Sequence, residues 1–139
     1  MTVCTQLENA TGMLLVSASV AGNLTANIYA GGNNSNIELP YAICSVESAE
    51  ELIRNSGIYR CNLIVQVGEK AIDTDATSSL CQSVYDVLAQ SDIKEHLRTL
   101  STSSIYVHNM DVTNLKNTVN ADDKSRLQEC SLEVICALQ

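Results

Sequence analysis

The sequence predicts an α+β fold: a mixed or antiparallel β-sheet of about four to five strands with helices packed on one face. Two segments, 58–67 and 126–138, alternate apolar and polar residues with the period of a half-buried strand. Two others, 3–21 and 73–90, carry apolar residues at helical spacing. A content of 45% apolar and 17% charged residues excludes intrinsic disorder. The 139 residues therefore predict a single domain over 1–139.

The first half of the chain predicts one helix followed by three strands. Val3, Leu7, Ala10, Leu14 and Ala18 give the first helix its apolar stripe. A short strand over 26–30, a polar loop over 31–37 and a second strand over 37–46 follow. Because Pro40 lacks an amide hydrogen, we expect that second strand at a sheet edge.

The segment 58–67 is the most regular strand of the sequence. Its alternation assigns one buried face to a set of five residues: Tyr59, Cys61, Leu63, Val65 and Val67.

Helices and two more strands complete the predicted order. Asp73 and Asp75 stand where acids favour a helix N-terminus, and the helix runs to about residue 90, with a short helix over 91–100. A strand over 104–112 puts Ile105 and Val107 on one face and Met110 on the other. The last strand, 126–138, is predicted to place five apolar side chains on its buried face: Cys130, Leu132, Val134, Cys136 and Leu138.

The charge balance argues against a nucleic-acid-binding surface. Eight Lys and Arg against sixteen Asp and Glu give a net charge of −8, and the cations form no run. The first residues lack a cationic signal-peptide region and include Glu8, while the apolar stretch 13–20 is too short to span a bilayer. We expect a protein made in a cytosol, with no membrane partner.

The six cysteines are predicted to be buried, reduced thiols. No pair is closer than Cys130 and Cys136, so no CxxC metal knuckle exists. Six residues along one strand span roughly 20 Å, which is beyond disulfide reach.

No residue pattern indicates catalysis, a cofactor or a metal. His96 and His108 have no partner at ligand spacing, and helix capping accounts best for Asp73 and Asp75. We expect no catalytic residue, no cofactor and no metal ion.

The segment 113–125 is predicted to be a long polar loop that serves assembly. Long loops in small domains are usually functional, and this one should be dispensable for the monomer fold. The candidate subunit-interface or lumen residues are Asn114, Lys116, Asn117, Asp122, Asp123 and Lys124.

From Ala26 onward, the order of segments resembles the tail terminator (tail completion or neck) proteins of tailed bacteriophages. The resemblance lies in NIYAG, ELPYAICSVESAEE, GIYRCNLIVQV, DTDATSSLCQSVYDVLAQSDIKEHL and SRLQECSLEVICAL. It implies a non-enzymatic subunit of a hexameric ring at the head-proximal end of the tail. Such a ring ends tail-tube growth and docks to the head connector.

The resemblance also implies partners and a location. The partners would be further copies of the chain, the tail tube protein and the head–tail connector proteins, and DNA would pass through without specific binding. The protein would be assembled in the host cytoplasm and end in the tail or neck of the virion. The resemblance carries no individual residue over as functional.

Two alternatives remain at this point. One is another phage tail component, such as a tube or minor tail subunit with a similar small sheet domain. The other is a small cytosolic enzyme or ligand-binding domain, which would be a monomer stabilised by its ligand rather than a ring.

Overall fold

The computed structural model describes residues 3–17, 27–30, 41–70, 80–90, 93, 105–120 and 125–138. Its elements follow the predicted order of helix, three strands, helix and two strands. They are α1 (Val3–Ser17), β1 (Asn27–Ala30), β2 (Tyr41–Glu51), β3 (Ile58–Lys70), α2 (Leu80–Leu88), β4 (Ile105–Asn120) and β5 (Ser125–Leu138). Within these ranges, no helix is long and apolar enough to cross a membrane.

The five strands form one mixed sheet, which confirms the predicted α+β fold class. Their order is β1-β2-β3-β5-β4. Strand β1 runs parallel to β2, and the other neighbours are antiparallel. Helix α1 packs on β1 and β2, while α2 packs on β3 and β5.

The expectation that the second strand lies at a sheet edge is wrong. Residues Tyr41 to Cys44 pair with β1 on one side and with β3 on the other. Pro40 itself lies outside the described residues, so its missing amide hydrogen does not interrupt the paired part of β2.

Strands β3 and β5 supply the centre of the core. Their register places Leu63 opposite Leu132 and Val65 opposite Cys130. Eight inward side chains of the two strands are fully buried: Cys61, Leu63, Val65, Val67, Cys130, Leu132, Val134 and Cys136. The predicted inward faces are thus confirmed, with Tyr59 half-buried against the same core and the side chain of Leu138 outside the description.

Helix α1 is fixed to the sheet by packing and by one polar contact. Its predicted stripe is buried at Val3, Leu7, Ala10 and Leu14, while Ala18 lies outside the described residues. A carboxylate oxygen of Glu8 accepts a hydrogen bond from the backbone amide of Val46 at 2.8 Å. That amide stands at the start of a β-bulge between Val46 and Ser48, where pairing with β3 is interrupted.

Helix α2 buries Val84 and Leu88, two of the residues predicted to face inward. The predicted helix start at Asp73 and Asp75 lies outside the described residues. So does the predicted short helix over 91–100, except for Ile93, which is buried.

Two bulges correct the predicted faces of β4. The register shifts at two places, between Val107 and Asn109 and between Val112 and Asn114. Each shift inserts one residue into the strand. Each insertion reverses which residues face the helices, so Met110 is buried although strict alternation predicts the opposite.

The predicted loop over 113–125 is wrong for most of its length. Strand β4 continues to Asn120 and β5 begins at Ser125, with residue pairs from Asn114–Ser131 to Asn120–Ser125. The segment is therefore polar because it belongs to an exposed edge strand, whose side chains need not enter a core.

Replacing residues 113–125 by a short Gly/Ser turn should lower the free energy of unfolding, because it removes the β4 partner of the first half of β5. Urea denaturation measures this, and we expect a midpoint well below that of the unmodified chain. The control replaces only 121–124, which leaves every described β4–β5 pair in place. An unchanged midpoint for the longer replacement would contradict the strand assignment.

Candidate subunit interface

Of the six predicted interface residues, three lie in the described part of the chain and three lie outside it. Asn114, Lys116 and Asn117 are exposed residues of β4 and not of a loop, because the segment pairs with β5. Asp122, Asp123 and Lys124 lie outside the described residues.

The three described residues also point to different sides. Asn114 and Lys116 pair with Ser131 and Glu129, which lie on the sheet face that α1 and α2 leave open. Asn117 pairs with the buried Gln128 and so shares the helix-covered side. These residues therefore do not form one patch.

The open face of the sheet mixes polar side chains with half-buried aliphatic ones such as Ile64, and some of its charged groups are held against partners. The Nε atom of Arg60 lies 3.5 Å from Oε1 of Glu133 on the neighbouring strand. The side-chain amide of Asn62 donates to Oε2 of Glu47 at 2.9 Å. Because these groups are exposed, each contact contributes no more than about 1 kcal/mol to stability.

Strand β4 is the last strand of the sheet among those described, with β5 as its paired neighbour. Its side chains are exposed over most of residues 108–118. The bulge at Thr113 is closed by its hydroxyl, which donates to the carbonyl of Ser131 at 3.1 Å. Exposed strand edges pair readily with other chains, and bulges limit such pairing. The edge is thus an accessible but irregular surface.

A cavity of about 350 Å³ lies between the end of α2 and the middle of β4. Both apolar and polar residues line it, and its accessible surface is mainly polar because Leu88, Ile93 and Met110 are almost completely buried. The apolar residues are Tyr85, Leu88, Ala89, Ile93, Met110 and Val112, and the polar residues are Gln90, Asn109 and Asp111.

The connection between β2 and β3, residues 52–57, is an ordered loop. The carboxylate of Glu51 accepts hydrogen bonds from the backbone amides of Asn55 at 2.9 Å and Gly57 at 3.3 Å. Both of those residues adopt left-handed backbone angles, with φ of 64° and 74°. The amide of Leu52 donates to the carbonyl of Ile58 at 2.8 Å and closes the loop.

This loop presents aliphatic side chains to solvent, a feature that the sequence analysis missed. Ile53 is 62% exposed and Leu52 is 37% exposed, and Arg54 beside them is exposed as well. The sequence did contain a signal, because Leu52 and Ile53 form an apolar pair outside every predicted strand and helix. Asn55 and Gly57 follow them and are residue types that favour left-handed turns.

The side chains of five cysteines are described; all five are free thiols, and four of them are buried. Sγ of Cys61 lies 3.8 Å from Sγ of Cys136 on the adjacent strand. Burial raises the pKa of Cys44 to about 12 and that of Cys130 to about 11. The contact with Cys61, together with burial, also raises the pKa of Cys136, while the same contact lowers the pKa of Cys61. Buried cysteines whose pKa is raised behave as small apolar residues and not as nucleophiles.

Of the two histidines, His108 is described and lies at the first β4 bulge. Its exposed ring stands 4.9 Å from the ring of Tyr106 in an edge-on arrangement. His96 lies outside the described residues. Among those that are described, no three His, Cys, Asp or Glu residues are grouped so that they could hold a metal ion.

Comparisons with known proteins give a likeness of fold. No protein-family model matches the sequence, and no curated protein matches it. A chain of a solved structure described as "Virion of native gene transfer agent (GTA) particle" is similar, with a TM-score of 0.67 and 14% identity. The likeness covers 96% of this chain and 95% of that one. The two chains therefore share a fold over nearly their whole lengths.

The thiols provide a test of the described core. In the native protein Cys44, Cys61, Cys130 and Cys136 should resist alkylation, because all four are buried away from the reagent. Under denaturing, non-reducing conditions, intact mass should show all six cysteines alkylated. Fewer than six would reveal a disulfide, and rapid native labelling of all six would contradict the buried core.

Proposed function

We propose that this chain is a structural, non-enzymatic protein of a phage-like virion. One observation carries the proposal: the fold is shared, end to end, with a chain of the gene transfer agent virion particle. The match covers 96% of this chain and 95% of the other. The protein would be assembled in the host cytoplasm and located in the virion.

Within the virion, we propose the role of tail terminator. The chain would form a ring, hexameric as in the family that its sequence resembles, at the head-proximal end of the tail. The ring would end growth of the tail tube on one side and dock to the head–tail connector on the other. The order of segments from Ala26 onward supports this role, since the described helices and strands follow that order.

A closed ring requires two different surfaces on each subunit that fit each other. The described structure offers several distinct surfaces: the exposed part of β4, the α2–β4 cavity and the 52–57 loop. These surfaces lie on different parts of the sheet, which suits head-to-tail contact between copies.

The charge of the chain suits a conduit for DNA. Each subunit carries −8, and a ring of six would carry six times that charge. Phosphates would be repelled from most of its surface, so DNA would move through without being held.

Light scattering coupled to size exclusion tests the ring. The purified protein should elute as a species of six times the 15.0 kDa monomer mass, and electron microscopy should show rings with a central opening. A monomer at all concentrations, stabilised by a small ligand, would contradict the proposal and favour a binding domain or enzyme.

A gel shift with duplex DNA tests the conduit. At low ionic strength, where any cationic patch acts most strongly, the protein should leave the duplex unshifted. The acidic excess is the reason, since the eight cations stand against sixteen acids. A tight shift that disappears with added salt would mean that the fold gathers those cations on one face, and the conduit would have to be abandoned.

A further inference from the structure

The two halves of β4 are attached to the domain in different ways. In the second half, all six residues over 113–118 are exposed. Even Leu115, which pairs with the buried Cys130 and so lies on the helix-covered side, is 39% exposed. In the first half, by contrast, four residues are buried in the core or packed against it: Ile105, Val107, Met110 and Val112.

The second half is held mainly by its backbone. Its residue pairs with β5 run from Asn114–Ser131 to Asn120–Ser125. An exposed backbone hydrogen bond is readily exchanged for one with water, so it stabilises a strand less than a buried aliphatic side chain does. Segments that bury few apolar groups open locally, at a fraction of the free energy of global unfolding.

A bulge separates the two halves. Thr113 is the extra residue between the pairs Val112–Leu132 and Asn114–Ser131. Because a bulge interrupts the ladder and bends the strand, pairing on one side of it can break while pairing on the other side remains. The hydroxyl of Thr113, which donates to the carbonyl of Ser131, closes the structure at this junction.

Strand β5 remains paired when the second half of β4 leaves it. On its other side, β5 pairs with β3 over the same stretch, from Val65–Cys130 to Lys70–Ser125. The side chains of Gln128 and Cys130 are buried there. Opening of β4 would therefore uncover one edge of β5 and leave the central pairing of the sheet intact.

We propose that residues 114–120 of β4 form a strap, which lifts off β5 from the Thr113 bulge onward while the rest of the domain stays folded. The inference goes beyond the proposed function, because it holds whether or not the chain forms a ring. Lifting gives the sheet a second state, in which the backbone of β5 from Ser125 to Ser131 presents free donors and acceptors. Such an edge is what an added strand recognises, so the strap controls when this edge is available.

The length of the chain permits this movement with both ends of the strap in place. Along β5, the strap spans roughly 23 Å at about 3.3 Å per residue. The segment 114–124, which joins Thr113 to Ser125, reaches up to about 36 Å when extended. The difference is the slack that lets the strap lift.

Amide hydrogen exchange, measured residue by residue by NMR, tests the strap. Successive amides of a strand point alternately to its two neighbours, so β5 carries some amides directed to β3 and others directed to the strap. Over 125–131, the strap-directed amides should exchange at least about a hundredfold faster than the β3-directed ones, because local opening exposes only the former. Equal protection of the two sets would overturn the proposal.

Urea below the unfolding transition gives a second readout. The sensitivity of an opening to urea grows with the surface that it exposes. Lifting the strap exposes little new surface, because its side chains over 114–118 are already exposed. Exchange of the strap-directed amides should therefore be nearly independent of urea, while exchange of the β3-directed amides accelerates. The same urea dependence for both sets would mean that the strap opens only when the whole domain unfolds.

Matched double proline variants separate the strap from the anchored half. Asn117→Pro with Thr118→Pro removes two successive amide hydrogens from the strap, one of which faces β5. The domain should stay folded by circular dichroism, and its urea midpoint should fall no further than replacement of 113–125 lowers it. The matched change in the first half, Tyr106→Pro with Val107→Pro, should lower the midpoint much further or prevent folding, since Val107 is fully buried.

Two outcomes of the proline experiment would contradict the strap. Loss of the fold in the 117/118 variant would mean that this half of β4 is as necessary as the first. Equal midpoints for the two double variants would mean that the halves of β4 are equivalent.

Discussion

The pairing of β3 with β5 is the contact on which the rest of this fold depends. The chain contains no Phe and no Trp, so its core has to be built from smaller side chains. Eight fully buried inward residues of β3 and β5 are aliphatic residues or cysteines. Thirteen residue pairs hold the two strands in register. Strand β2 then pairs with β3 on one side, β4 pairs with β5 on the other, and both helices cover the same face. A slip of one residue between β3 and β5 would turn the four buried side chains of the slipped strand away from the helices, so the register of this pair is tightly specified.

The regular alternation of buried and outward residues explains which elements could be predicted from the sequence. Cys61, Leu63, Val65 and Val67 recur at every second position and only Ile64 of the residues between them is apolar, so β3 and its buried face are evident without a structure. In β4 the aliphatic residues stand at 105, 107, 110, 112, 115 and 119, with spacings that a single period cannot describe. The structure resolves the pattern into three short runs joined by two bulges. Beyond Leu115 every residue of the strand except Val119 is polar, and polar edge strands have the composition of loops.

The residues of the candidate interface could not be predicted from the sequence alone. The α2–β4 cavity joins Leu88 to Met110, residues that are distant in the chain and meet because both elements pack beside β5. No periodicity encodes such a meeting. The 52–57 loop carries a local signal in Asn55 and Gly57, but the exposure of Ile53 depends on the way Glu51 folds the backbone over its carboxylate. Polar residue type, which directed attention to Asn114 and Lys116, identifies exposed positions and not the few apolar ones that contribute most to binding.

Assembly of so acidic a chain into the proposed ring would require an attraction between its subunits and a surface that does not hold DNA. Different parts of the surface would meet these two requirements. Subunits that each carry −8 repel one another, so their contact needs an attraction that does not come from net charge. Burial of an aliphatic side chain is such an attraction, because it depends on the area removed from water. The open sheet face meets the other requirement, since Arg60 is held against Glu133 and is less available to phosphate. In the proposed ring, apolar contact between subunits and an acidic remainder would therefore be compatible within one small domain.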